Sequence, residues 1–169
     1  RGYHINPCWG GHLDLFRIPK FSYYFMQSQV DRRKIGDILF IANWWADTSP
    51  SDVTVISNAE EVELYCDGQF VERRRPDSLA VAHPPFTFEN VRQRFKKRAR
   101  STLVAKAYVG GNQVAEASVR SPGVARELRL KADNMGIDLI ADGSDTIAVR
   151  CKLIDDSGSV VPFTSDSEP

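Results

Sequence analysis

From Gly36 onward the apolar residues of this chain recur at every second position, and before Gly36 they do not. Ile38, Phe40, Ala42 and Trp44 fall on one face and Leu39, Ile41 and Trp45 on the other, which predicts a strand covered on both sides near its start. Asp47 to Asp52 is turn chemistry. Val53 and Val55 then alternate with Thr54, and Val62, Leu64 and Cys66 with Glu61, Glu63 and Tyr65. Asp67-Gly68 predicts a tight hairpin into a returning strand over Gln69 to Arg73. Pro84-Pro85 confines Phe86-Thr87-Phe88 to an edge strand or the start of one. Leu103, Ala105, Ala107 and Val109 alternate inward, Gly110-Gly111-Asn112 turns the chain, and Gln113 to Val119 returns. Roughly six or seven short strands at regular spacing predict a β-sandwich.

The stretch before Gly36 has a different period. Pro19 suits a first helical turn and no breaker follows through Gln29. Phe21, Tyr24, Phe25 and Ser28 fall at helical spacing, while Tyr23 and Met26 extend the apolar surface around the flank. Half-buried strands offer such a helix one face at most, so part of its packing surface is expected to belong to sequence outside this chain, which reads as a fragment. Arg1 to His12 is a turn-rich loop, and Asp31-Arg32-Arg33-Lys34 a polar connector that marks a first boundary. A second boundary falls at Ser121-Pro122-Gly123. Beyond it Leu128, Leu130 and Ala132 form one alternating set and Ile147, Val149, Cys151 and Leu153 another, and Asp155-Asp156-Ser157-Gly158 turns into Val160-Val161. Three or four strands do not close a sandwich, and the Ser- and Asp-rich end after Phe163 is expected to fray.

With 42% hydrophobic and 10% aromatic residues the composition is globular. The 22 basic and 22 acidic side chains cancel, so no global field draws the chain to nucleic acid or membrane. The zero hides an asymmetry: residues 72–100 hold nine Lys or Arg against three acids, and residues 133–169 eight acids against two bases. No apolar run approaches a membrane span, and the sequence leaves the compartment open. Cys8, Cys66 and Cys151 are odd in number and far apart, and the alternation around the last two predicts buried thiols, with neither a disulfide framework nor a metal site.

Leu13-Asp14-Leu15-Phe16-Arg17-Ile18-Pro19-Lys20-Phe21-Ser22-Tyr23-Tyr24-Phe25 with Gln27-Ser28-Gln29 resembles the last barrel helix, and the loop before it, of glycoside hydrolase family 2 enzymes of the bacterial β-galactosidase type. Ile41-Ala42-Asn43-Trp44-Trp45, Ser49-Pro50 and Val53 through Leu64 resemble the immunoglobulin-like domain that follows that barrel, and His83-Pro84-Pro85-Phe86-Thr87-Phe88 and Ala141-Asp142-Gly143-Ser144-Asp145 extend the similarity over most of the chain. The resemblance implies a mostly β chain in three parts: residues 1–33, the loop and last helix of a catalytic (β/α)8 barrel; residues 34–122, an immunoglobulin-like β-sandwich; and residues 123–169, a partial second immunoglobulin-like domain. It implies a parent glycosidase and, as partner, the missing barrel of the same polypeptide, with carbohydrate as a possible ligand and neither nucleic acid nor membrane.

Retaining glycosidases need two carboxyl groups about 5–5.5 Å apart, one protonated and one ionised. In family 2 the acid follows an Asn on a barrel strand, and this sequence has no Asn-Glu dipeptide. Glu60, Glu61 and Glu63 read as a solvated sheet face, so no residue is assigned a catalytic role. The resemblance places Arg1 to His12 on the barrel rim, which makes Trp9 the weak candidate for sugar contact, against plain packing on the barrel end. Asp14, Arg17 and Lys20 are expected to form ion pairs that hold the same rim. Asp138, Asp142, Asp145, Asp155 and Asp156 miss the calcium-loop pattern and read as turn residues. His4, His12 and His83 lack ligand spacing, and no cofactor is expected. Two rival readings stay open: a carbohydrate-binding module stacking sugar on Trp44, Trp45 and Tyr65, and a basic module using Arg92, Arg94, Lys96, Lys97, Arg98 and Arg100 for nucleic acid or protein. The bland form of the second is a solvated loop paired with the acidic final segment.

Overall fold

The computed structural model describes residues 11–14, 17–76, 80–95, 100–134, 136–138, 140 and 142–162. These cluster into two compact units, divided between Arg120 and Ser121. The first opens with helix α1 (Phe21–Ser28) and a single helical turn, α2 (Arg32–Ile35), in the segment expected to be a plain connector. Strands β1 (Leu39–Ile41), β2 (Val53–Ser57), β3 (Glu61–Cys66), β4 (Gln69–Arg74) and β5 (Phe86–Phe88) follow, then a second one-turn helix, α3 (Val91–Arg94), and strands β6 (Thr102–Val109) and β7 (Asn112–Arg120). All strand pairs are antiparallel.

The seven strands form two sheets, of order β1-β2-β5 and β4-β3-β6-β7. One apolar core joins them. It holds Ile41, Val53, Val55, Phe86 and Phe88 from the first sheet and Val62, Leu64, Cys66, Leu103 and Ala105 from the second. The alternation read from β3 and β6 is therefore the inward set, and Leu64 is wholly buried. This is an immunoglobulin-like sandwich in which the fourth strand joins the third, not the fifth, giving three strands against four where antibody constant domains place four against three. Cys66 supplies no disulfide; its thiol lies 3.5 Å from the Ser101 hydroxyl inside the core.

Turn chemistry sets the registers. Asp67 and Gly68 take φ of 50° and 77°, and Gly110 and Gly111 φ of 56° and 81°, the paired left-handed conformation of two-residue hairpin turns whose twist matches the strands they join. β5, preceded by Pro84-Pro85, pairs with β2 alone and is an edge strand, as its prolines require.

α1 starts later than the sequence predicts. Pro19 lies outside the first turn: it bridges to Leu13, and Lys20, the N-cap, is extended. The Asp14 carboxylate accepts from the Ile18 N–H at 2.8 Å, and Lys20 N–H donates to the His12 carbonyl, so the residues before Phe21 are committed to a tight loop.

The second unit contains β8 (Glu127–Asp133) and β9 (Ala148–Ile154), an antiparallel pair. Cys151 is exposed there, contrary to the buried thiol expected, because a two-stranded sheet has no second layer to cover its apolar face.

Candidate functional site

The seam between α1 and the sandwich is the most elaborated feature of the first unit. β1 turns Leu39 and Ile41 to the core and so leaves Phe40 on the outer face. There Tyr24 stacks on Phe40 with ring centroids 3.7 Å apart, and Phe21 meets Phe40 edge-on at 5.5 Å and Trp44 at 5.6 Å. The strand is thus covered on both sides, as its sequence predicts. At the far end of the helix the Gln29 amide donates to the His83 carbonyl at 2.7 Å and accepts from the His83 N–H at 3.0 Å, pinning the loop before β5. Ser28, fully buried, returns its hydroxyl to the Phe25 carbonyl. Leu13, Ile18, Met26 and Val30 remain exposed around this seam, as does much of Trp44 at its edge.

Buried amides hold the path into and out of β1, and the alternation gave no sign of them. Asn58 accepts from the Ile38 N–H and donates to the Gly36 carbonyl, while the Ser57 hydroxyl donates to the Ile38 carbonyl. Asn43 donates to the Pro50 and Asp52 carbonyls and accepts from the Trp45 N–H at 2.7 Å. Trp45 adopts φ of 54° and is wholly buried, whereas its neighbour Trp44 is 45% exposed. The platform of Trp44, Trp45 and Tyr65 is therefore not formed: one ring is core, one faces α1, and Tyr65 lies on the other sheet.

That sheet's outer face corrects a second expectation. Glu63 has partners and only 13% of its side chain is exposed. Its carboxylate accepts from the Tyr65 and Tyr108 hydroxyls, both at 2.7 Å, and lies 3.6 Å from Arg73, which also sits over the Tyr108 ring. Burial pushes the Glu63 carboxyl up, but the two hydroxyls, Arg73 and Lys106 together hold it below the usual range. The same bond pushes Tyr108 up to about 12. Glu61, bonded to Arg75 and Arg73, is also held low. The two carboxylates thus tie Arg73, Arg75, Tyr65 and Tyr108 together across the sheet face.

The basic run is likewise engaged where it is described. Arg92 donates to the Ala46 and Asp47 carbonyls and lies 5.5 Å from the Trp45 ring, and Arg94 reaches the Val71 carbonyl and Glu72. Both belong to α3 and its contacts, not to a free loop. Lys96, Lys97 and Arg98 lie outside the described residues, as does Trp9. Asp14 braces its loop through backbone N–H groups, with Arg17 at φ of 58° closing the turn. Asp142, Asp145 and Asp155 of the second unit serve its turns: Asp142 accepts from Ser144, Asp145 from the Ile140 N–H, and Asp155 from the Gly123, Ser157 and Ser159 N–H groups. Among the described residues no three His, Cys, Asp or Glu side chains gather in a metal-holding group, and no helix is long and apolar enough to cross a membrane.

No family model matches the sequence. Individual proteins do. A β-galactosidase of Thermoanaerobacter pseudethanolicus is 31% identical over 171 residues, which cover 95% of this chain and 23% of that protein. A β-galactosidase of Bacteroides ovatus is 29% identical over 163 residues, covering 95% of this chain and 18% of that one. The solved structure of a β-glucuronidase from glycoside hydrolase family 2 matches with a TM-score of 0.72 at 20% identity, over 91% of this chain and 15% of its own, a likeness of fold alone. The chain resembles a C-terminal fragment of a glycoside hydrolase family 2 enzyme. It spans between 15% and 24% of the length of the curated relatives it matches, so it corresponds to a small part of each of those proteins.

Proposed function

We propose that this chain is a non-catalytic accessory region of a family 2 glycosidase of the β-galactosidase type, which supports a (β/α)8 barrel contributed by the same polypeptide and helps to shape its sugar site. In this reading residues 1–33 end the barrel, residues 34–122 are the accessory sandwich and residues 123–169 begin a further immunoglobulin-like domain. One observation carries it: α1 is clamped to the sandwich through Phe40 and His83, while Met26 on the helix and Ile18 and Val30 just beyond its two ends stay uncovered. A helix packed on one body with apolar side chains still uncovered along its length and at its ends is suited to joining a second. The carboxyls of Asp31, Glu61, Glu63, Asp142 and Asp155 are each held below the usual range by hydrogen bonds or neighbouring cations, which fits structural roles in turns and on the sheet face.

The purified 169-residue chain is expected to leave a nitrophenyl β-galactoside unhydrolysed, while a polypeptide that includes the upstream reading frame turns it over. Turnover by the chain alone, abolished by replacing one of its own carboxylates, overturns the reading. Stacking of a sugar on Trp44 and Trp45 finds no support, because Trp45 is enclosed.

A further inference from the structure

Charges that face one another across the outer side of the four-stranded sheet are opposite in sign. Glu63 stands opposite Arg73 on one strand and Lys106 on the other, and Lys106 stands opposite Glu116 in turn. The ribbon of the second unit departs from that rule. Arg129 stands directly opposite Lys152, and Lys131 directly opposite Arg150, two like-charged pairs on one face. Like charges at directly opposed positions destabilise a strand pair, and an acid at either position would keep the face polar without that cost.

Residues two apart on a strand are separated by about 7 Å and directly opposed ones by about 5 Å, so the four cations stand at the corners of one small rectangle. Acids answer only two of them. Arg150 pairs with Asp133 at 2.6 Å and Arg129 with Glu127 at 3.3 Å, while Lys131 and Lys152 have no ion-pair partner among the described residues. Four cations against two carboxylates leave a surplus of two positive charges. All four line a hollow of about 410 Å³, a size usual for small-molecule sites, and one end of it is apolar, formed by Ile154, 2% exposed, and Val160. The turn after β9 fixes that end: Val160 bridges to Ile154, and the buried Asp155 accepts from the Gly123, Ser157 and Ser159 N–H groups.

We infer that this face of the ribbon is a binding site for a small carbon-framed ligand bearing two oxyanion groups, phosphate or sulfate, with Lys131 and Lys152 as its principal contacts. Two anionic groups match the surplus of two charges and relieve the repulsion between the opposed cations. Hydrogen bonds from ammonium and guanidinium groups to oxyanions are among the strong ones, and Arg129 and Arg150, held by their acids, set planar donors beside each lysine. The carbon frame lies against Ile154 and Val160. This site goes beyond the supporting role proposed above and does not depend on it.

Titration calorimetry of the 169-residue chain with a hexose bisphosphate, a disulfated disaccharide and inorganic phosphate tests the inference. At least one of the two doubly substituted sugars is expected to bind about tenfold or more tighter than inorganic phosphate, and the tighter of them names phosphate or sulfate as the source. Lys131→Gln combined with Lys152→Gln should weaken that binding about tenfold or more, whereas Lys34→Gln, at an exposed lysine of the first unit, should leave it unchanged. Lys152→Glu should abolish binding and, by setting an acid opposite Arg129, leave the thermal midpoint unchanged or higher, which separates a lost site from a lost fold. A lowered midpoint denies the repulsion between opposed cations and overturns the inference. So does inorganic phosphate binding as tightly as both sugars, absence of binding by either sugar, or affinity that the double glutamine variant leaves untouched. Displacement of both sugars by a duplex oligonucleotide, with a steep salt dependence, marks a general polyelectrolyte surface and overturns it as well. Galactosidase turnover bears on none of these outcomes.

Discussion

Gln29 and His83 exchange two hydrogen bonds across 54 positions of sequence, one side-chain amide answering both polar groups of one backbone unit. Gln29→Ala leaves the His83 N–H and carbonyl without those partners in a half-buried loop. Each lost bond is worth about 0.5–1.5 kcal/mol net, and more where water cannot enter. Urea unfolding should therefore show a loss of about 1–3 kcal/mol; a change below about 0.3 kcal/mol would mean that the seam is held by the aromatic rings alone.

Leu64 and Glu63 are neighbours with opposite surroundings. Leu64→Ala removes a fully buried side chain and should cost about 2–5 kcal/mol. Glu63→Ala would be almost free at an ordinary surface position, but here it takes the common acceptor from two tyrosine hydroxyls and should cost about 1–2 kcal/mol. Chemical unfolding of both variants checks the order. A larger loss for Glu63 than for Leu64 would contradict the register of β3.

Ionising Tyr108 breaks the hydrogen bond its hydroxyl donates to Glu63, strands a charge in a partly buried site and sets it beside the carboxylate, so its pKa is pushed up to about 12. A tyrosine that holds its proton more tightly when folded adds stability that is complete below its unfolded pKa near 10 and disappears as pH rises toward 12. The depressed pKa of Glu63 acts at the other end: its contribution is present above the unfolded value of about 4.3 and is lost as pH falls through the folded one. Ultraviolet titration should contain late phenolate steps from both Tyr108 and Tyr65, of which Tyr108→Phe deletes one and Glu63→Gln moves both toward about 10. Late steps unchanged in Tyr108→Phe would reassign the shift.

Arg92 ties α3 to the turn after β1 and lies against Trp45. Arg92→Ala should destabilise the sandwich by about 1–3 kcal/mol, since it strips two carbonyls of a charged donor. If the run served nucleic acid, the same substitution would instead flatten the salt dependence of binding by about one unit of slope and leave unfolding unchanged. Urea titration alongside oligonucleotide binding at two salt concentrations distinguishes the outcomes.

Much of the sandwich was legible because each local signal agreed with its neighbours: Val62, Leu64 and Cys66 face in, Asp67-Gly68 turns, and Leu103, Ala105 and Ala107 face in again. The errors share a cause, which is that a side chain's role depends on what lies across from it. Glu63 looks solvated until Tyr108, 45 positions away, is placed beside it. Cys151 looks buried because alternation reports which face a residue is on and not whether that face is covered. Trp44 and Trp45 part company through the left-handed backbone at Trp45, held by an Asn43 amide that no period announces. Pro19 suits the opening of a helix by its ring alone, yet the Asp14 carboxylate draws the chain into a loop first.

The two hairpin turns bear on the order in which the first unit assembles. Asp67-Gly68 and Gly110-Gly111 each close a ribbon between strands adjacent in sequence, β3 with β4 and β6 with β7. The sheet is complete only when β3 and β6 meet, and Leu64 faces Ala105 across about forty residues of intervening chain. Local ribbons form within microseconds, whereas joining them must first overcome the entropy of closing that long loop. The central strand pair is therefore expected to be the last of the three to form, and the two local ribbons to gain lasting stability only when they meet.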